Sequence, residues 1–308
     1  MSQPDFLPIS IAAMVNRKEA LSYDLFRDYW RDVHIVLGTR IRVSYLHRLH
    51  FLTFASPVIW ANLEGIEVTC PIEDRFDGIA EVWYPSGDHI RGFSSNPLSK
   101  IIAEDEQNIF SRVIPYFTLA GNVRTYIDVL AECPLDGPQK FPTLIFCIQK
   151  VTTTSIQDFR TYMADQFAPV FAQSETALRV RLHLPEAYKA LRQSPHVRYE
   201  HPEDKQYQAW MEVMFKNSSA MARFFDIFIH HAAIKDLSQY IRALHTYVES
   251  ETYTYVNQGQ PTLVGLRGYS AARAIMAVGA RNEMQDDVLR IIYGDEAMRL
   301  KQRKEGAL

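Results

Sequence analysis

"SYDLFRDYWRD" (Ser22–Asp32) and "SIQDFRTYMAD" (Ser155–Asp165) lie over each other with Ser22, Phe26, Arg27, Tyr29 and Asp32 on Ser155, Phe159, Arg160, Tyr162 and Asp165, a constant offset of 133 residues. The same offset sets "ISIAAMVNR" (Ile9–Arg17) on "PTLIFCIQK" (Pro142–Lys150) and "YLHRLHF" (Tyr45–Phe51) on "LRVRLHL" (Leu178–Leu184). "FDGIAEVWY" (Phe76–Tyr84) meets "YQAWMEVMF" (Tyr207–Phe215) at an offset of 131, with Glu81 and Val82 on Glu212 and Val213. Four segments in one order at nearly one spacing mark an internal duplication, which fixes how every single element is read.

Each copy reads β–α–β–β–α–β. In the first, a strand over Ile9–Val15 leads to Ser22 as the N-cap of a helix over Tyr23–Leu37. Strands follow over Val43–Phe51 and Gly78–Trp83. A second helix opens in "SGDHIRGFSSN" (Ser86–Asn96) and breaks near Pro97, and a closing strand falls within Tyr116–Val129. The second copy has Thr143–Ile148, Ile156–Gln173, Ala177–Leu184, Trp210–Phe215, Ser218–Leu237 and Thr246–Val256. This order is the split-βαβ, ferredoxin-like plan. Its helices cover one face of the sheet, and the apolar opposite face must be buried against something. The other copy is the available partner. The expected fold is therefore α+β: two ferredoxin-like (βαββαβ) repeats packed sheet to sheet as an α+β barrel around an apolar chamber. Repeat 1 spans residues 1–135, a degenerate repeat 2 spans 136–258, and a helical C-terminal extension spans 259–308. The insertions Leu52–Arg75 and Pro185–Gln206 exceed ordinary hairpin loops and read either as lids or as surface elaboration.

Composition excludes several functions. The 308 residues carry a formal charge of −3, with no basic stripe to attract phosphates, so no nucleic acid is expected as a partner. Cys70, Cys133 and Cys147 are far apart, which fits a reducing, cytoplasmic setting. No run reaches eighteen apolar residues, so no membrane is expected. Phosphate-loop, dinucleotide and GxSxG motifs do not occur.

At about 100° per residue, Phe26, Trp30, Val33 and Leu37 form one helical stripe with Tyr29 and His34 at its margins. "YWRDVH" (Tyr29–His34), followed by "FDGIAEVWY", resembles the EthD-type domain of the dimeric α+β-barrel superfamily. The resemblance covers roughly residues 8–130, and residues 142–256 through the repeat. It maps the family's first-helix motif onto Tyr29, Trp30 and His34, and its strand-three signature onto Asp77, Gly78, Glu81 and Trp83. Phe167, Met163 and Gln208–Ala209 replace His34, Trp30 and Asp77–Gly78 in the second copy, so chemistry is expected in the first copy alone. What the resemblance implies is a small, often aromatic or polyketide-like ligand held between sheet and helices. Related proteins decarboxylate, dehydrate, cyclise or oxygenate such molecules, and the broader superfamily includes haem proteins.

His34 is the leading catalytic candidate, because imidazole exchanges protons near neutral pH; a core-edge histidine is the plain alternative. Glu81 and Tyr29 are expected as secondary polar groups, although Glu81 and its twin Glu212 equally suit structural pairing with Arg48 and Arg181. Trp30, Trp83, Trp60, Tyr45 and His47 are expected to line the substrate site, and His50 with its twin His183 reads as scaffold. His230 and His231 are adjacent on a predicted helix and cannot readily share an ion. His196 and His201, beside Glu200, Glu203 and Asp204, read as a solvated loop rather than a metal site. The expected function is a cofactor-independent lyase, cyclase or isomerase acting on a small apolar, aromatic or polyketide-derived molecule, with no metal, as monomer or homodimer. The rivals are a non-catalytic binding or accessory protein and a haem-dependent oxidase with His231 or His245 as axial ligand.

Overall fold

Strands β1 (Ile9–Arg17), β2 (Leu46–Phe54), β3 (Gly78–Tyr84) and β4 (Phe110–Thr118) pair antiparallel in the order β4-β1-β3-β2 in a computed structural model. It describes residues 8–60, 63–131, 134–188, 194–228 and 236–293. After β5 (Val123–Asp128) and the two-residue β6 (Gly137–Pro138) the plan repeats. β7 (Thr143–Lys150), β8 (Ala177–His183), β9 (Ala209–Phe215) and β10 (Ile241–Asn257) pair in the order β10-β7-β9-β8. Both halves therefore have the ferredoxin-like order, as the repeat predicts. The chain continues through β11 (Gln260–Pro261) to helices Leu263–Arg267, Tyr269–Val278 and Asp286–Tyr293.

The two sheets are stitched at both edges. β10 runs for 17 residues; its first part pairs with β7 and its last part with β2 of the first half. β5 does the same service on β8. The insertions also cross over: Glu67 bridges to Ala243 and Arg198 to Arg112. Inside, the Tyr207 N–H donates to Tyr116 Oη (3.0 Å) and the Phe76 N–H to Tyr247 Oη (3.4 Å). Each of these four residues and its counterpart is separated by 131 positions, so the contacts obey a two-fold relation between the halves.

Ser22 and Ser155 cap the first helix of each half, accepting from the N–H groups of Leu25 and Asp158. The expected single helix is in fact α (Tyr23–Tyr29), then π-wound (Trp30–His34), then α (Ile35–Thr39). The second half widens at the matching place, Met163–Phe167. A π-turn often marks a functional site; its presence in both halves assigns it to the fold instead. The second helical layer is Gly87–Ser95 and Pro97–Ile109, broken at Pro97 as expected. The closing strand starts at Phe110, ahead of the expected Tyr116. Short apolar runs have ambiguous periodicity, and Pro115 cannot sit inside a helix. β2 starts at Leu46 rather than Val43, because the Val43 N–H turns back to the Ile41 carbonyl.

Three cores result. One fills the space between the second half's helices and sheet, one lies under the first half's helices, and the third joins the sheets through Met14, Ile79, Ile114, Ile145 and Trp210. Trp30 is 1% exposed and sits edge-on to Phe51 and Phe110, at 5.1 and 5.5 Å between ring centroids. Its ring closes over Gly78, where a Cβ would fall 2.5 Å from Trp30 Cζ3 and 2.6 Å from the His50 carbonyl oxygen. Gly78→Ala is thus expected to cost about 1–3 kcal/mol by overpacking. A denaturation midpoint equal to wild type would show that the strand yields instead. The C-terminal helices dock on the first helix, with the Asp32 carboxylate accepting from the Ser270 N–H (3.2 Å) and Oγ (2.7 Å). No described helix is long and apolar enough to cross a membrane.

Candidate functional site

A cavity of about 450 Å³ lies between the first half's sheet and its helices. Strand alternation puts Ile11 and Ala13 of β1, His47 of β2, and Ala80 and Val82 of β3 on the helix-facing side of the sheet, where they form the floor. His34, Gly38, Ile102 and Glu106 come from the helices, and Tyr199 from the second half's insertion. No arginine or lysine is among the described lining residues.

The second half has closed the matching space. Ala13, Gly38 and Ala80 correspond in position to Phe146, Phe171 and Met211, each fully buried. Phe146 and Phe171 pack at 5.5 Å, and Trp60 from the first half's insertion adds its ring to Phe146 at 5.6 Å. His34 and His47 correspond to Phe167 and Val180. Three small residues thus hold open in one half what three large ones fill in the other.

His34 is 6% exposed, and its Nδ1 lies 2.7 Å from Asp105 Oδ2. Tyr29 Oη donates to the other carboxylate oxygen (2.6 Å), as does Asn108 Nδ2 (2.9 Å). Burial alone would raise the Asp105 carboxyl, but hydrogen bonds from His34, Tyr29 and Asn108 outweigh it and lower it to about 2. Because Asp105 is ionised at neutral pH, Nδ1 carries the ring proton, and Nε2 of the neutral ring is the acceptor. The Tyr29 phenol is raised by burial and by Asp105, so it stays a donor. Burial, with the nearby His34, lowers His47 to about 4 and keeps its ring neutral. The arrangement can take a proton from a bound molecule and return it.

Of the expected site residues, the chamber collects His34 and His47. Tyr29 acts at one remove, through Asp105. Trp30 belongs to the core beneath the helix, over Gly78 and against Phe51 and Phe110, and is not among the lining residues of the cavity. Trp60 fills the second half's core, its Nε1 donating to Thr246 Oγ1 (2.6 Å). Tyr45 and Trp83 line a separate cavity of about 150 Å³ at the mouth between the sheets. Tyr45 precedes β2, so strand alternation does not carry it to the side of His47.

Among the described residues the space between the sheets is not the expected apolar chamber: core side chains such as Met14, Ile79, Ile145 and Trp210 fill it, and its polar end, beside the smaller cavity, is an ion cluster. Glu81 is fully buried and accepts from Arg48 Nε (3.0 Å) and Nη2 (2.5 Å), and from Trp83 Nε1 (2.7 Å). Glu212 accepts from Arg48 (3.1 Å), Arg179 (2.9 Å) and Arg181 (3.2 Å), and Arg181 also reaches Asp128 (2.9 Å). His50 joins Glu249 to Glu81. Burial opposes the charged forms, yet the arginines, Arg48 foremost, hold both glutamates well below their ordinary range. An acid this strongly ionised cannot donate a proton, so Glu81 is placed as a structural ion.

His201 packs among Phe76, Tyr116 and Tyr188, while Glu200, Glu203 and Asp204 face solvent. No group of three or more His, Cys, Asp or Glu residues positioned to hold a metal occurs among the described residues. His245 Nδ1 lies 2.7 Å from Tyr207 Oη in the core; His230, His231 and Cys133 lie outside the described residues. Sequence reasoning missed Asp105, Glu106 and Tyr199. The first two sit in the run "AEDEQN", which reads as a solvated helix face until a second helix is packed on it.

Fold and chamber together define a tandem α+β barrel of two ferredoxin-like halves, one of them hollow. Residues 18–112, which cover most of the hollow half, match the EthD domain family. Among solved structures, an anthrone oxidase-like protein matches at a TM-score of 0.50 and 9% identity, over 82% of this chain and 95% of that one. A candidate monooxygenase from Fusobacterium nucleatum matches at 0.48 and 10%, over 84% and 98%. At 9% identity the first of these likenesses shows the fold alone. No curated protein matches the chain.

Proposed function

We propose that the first half's chamber binds a small, largely apolar molecule and that His34 transfers protons on it, in lyase, cyclase or isomerase chemistry. The observation that carries this reading is the Tyr29–Asp105–His34 array at the wall of a cavity whose counterpart is filled. Asp105 fixes the tautomer and stabilises the imidazolium that forms when Nε2 accepts a proton. His47, kept neutral, offers a hydrogen bond without competing for that proton. The chemistry uses only these side chains. A small aromatic or polyketide-derived substrate would gain chiefly from burial against the apolar floor, at roughly 25 cal/mol per Å².

The test follows α-proton exchange of 2-tetralone, an uncharged enolisable ketone, in deuterated water by NMR. Wild type should accelerate exchange, and His34→Ala should lose about 10²–10⁴-fold of that acceleration, the usual worth of a positioned base. If 2-tetralone binds and both proteins exchange it equally, the chamber is a carrier's pocket and His34 has no catalytic part.

A further inference from the structure

The floor of the chamber carries a histidine that the protein leaves open. His47 is 6% exposed, and its ring nitrogens meet no hydrogen-bonding partner among the described residues. Other buried imidazoles are held: His50 by Glu249 and Glu81, His183 by Ser10, and His245 by Tyr207. Buried polar groups are nearly always hydrogen-bonded, so an imidazole left open on a cavity points to a molecule that completes it. The ring is also aimed. A Cβ on Gly38 would stand 3.4 Å from His47 Cε1, the carbon between the two nitrogens. Gly38 follows His34 by four residues and so shares its helix face. The nitrogen-bearing edge of His47 therefore points across the chamber, toward the helix that carries His34.

Other polar hydrogens of the wall are already engaged. Ser94 Oγ donates to the Ile90 carbonyl (3.1 Å), Ser99 Oγ to the Asn96 carbonyl (2.7 Å), and Tyr199 Oη to Glu106. With Nδ1 of His34 turned to Asp105, the two imidazoles are complementary: His34 presents an acceptor and His47 a neutral N–H. Burial and the nearby His34 keep His47 uncharged, while Glu81 opposes them from the far side of the sheet. An N–H of that kind stabilises negative charge developing on an oxygen without giving up its proton. Both histidines and Gly38 are lost together in the filled half, where Phe167, Val180 and Phe171 stand.

We infer that His47 donates a hydrogen bond to the carbonyl oxygen of the bound molecule, which makes the substrate an uncharged carbonyl compound with an enolisable neighbouring C–H. The inference rests on the chamber and on the role of His34 proposed above. His34 Nε2 takes the proton, the C–H electron pair becomes the C=C bond, and the carbonyl π pair moves to oxygen, where the His47 N–H holds the enolate. Return of the proton from the His34 imidazolium to carbon restores the neutral ring.

Infrared difference spectroscopy of 2-tetralone bound to the full chain tests it, beside the exchange assay. Tetralin, which lacks the carbonyl, is the comparison ligand. A hydrogen bond lowers the carbonyl stretch. The bound ketone should therefore absorb at lower frequency in wild type and in His47→Gln, which keeps an N–H donor, than in His47→Val, which keeps none. His47→Val should also slow exchange at saturation by about 10²–10³-fold, the usual effect of removing one donor to a developing oxyanion. It should weaken 2-tetralone several-fold more than tetralin. A stretch equal in wild type and His47→Val would overturn the inference. Should His47→Val fail to fold, His47→Met, also without a donor, decides. A stretch that depends on His47 while His34→Ala exchanges as wild type would leave the donor standing and remove the base. Ala13→Phe, which imports the second half's plug, should abolish binding of both ligands. If it binds them as wild type does, the chamber reading fails and takes the inference with it.

Discussion

Glu212→Ala should destabilise the protein by about 3–5 kcal/mol, the usual result of removing one side of a buried ion pair. Glu212 is 1% exposed and accepts from three guanidinium groups, those of Arg48, Arg179 and Arg181. Without it, Asp128 and Glu81 are left to balance those three positive charges, beside the cavity of about 150 Å³ that Arg48, Arg179 and Arg181 line. Against a total stability of about 5–15 kcal/mol for a typical domain, such a loss leaves little in reserve. The denaturant midpoint and its slope measure it, with Glu212→Gln as a comparison that keeps the shape and removes the charge. A cost below about 1 kcal/mol in both variants would mean that water or rearranged side chains neutralise the arginines.

Stability should peak near pH 6.5 and fall more steeply on the acid side. His47, His201 and His245 are each lowered to about 4, chiefly by burial, so their contribution is complete above 6.5 and lost as pH falls through that range. Glu81 and Glu212, depressed by their arginines, add a second loss once pH falls below their ordinary value of 4.5. His50 acts in the opposite sense. Burial lowers it, but Glu249 outweighs burial and raises it to about 9, so its stabilisation is complete below 6.5 and lost as pH rises through 9. Of these six groups, His50 alone erodes stability on the alkaline side, and the other five do so on the acid side. Denaturant midpoints taken from about pH 4 to about pH 9 should trace this asymmetric curve. A midpoint that rises between about pH 6.5 and about pH 4.5 would contradict it.

The repeat made the architecture legible, because residues such as Ser22, Phe26 and Arg27 recur where caps and core contacts recur. The pairing of Glu81 and Glu212 with Arg48 and Arg181 was also readable, since strand alternation sends all four to one face. What strand alternation does not reveal is which face is hollow. That depends on side-chain volume: Ala13 against Phe146 and Gly38 against Phe171 held the signal, visible only when the copies are compared for size rather than identity. The π-turn left no trace, since "WRDVH" and "MADQF" share little beyond an aspartate. Asp105 and Tyr199 reach His34's chamber only through packing between distant segments, and no local pattern encodes that.

β10 lends its first stretch to one sheet and its last to the other. A break anywhere along Ile241–Asn257 strips an edge from at least one of them and bares the backbone groups it satisfied. One strand thus serves both halves, so excising either together with it would leave the other with an unpaired rim, β2 in the first half or β7 in the second.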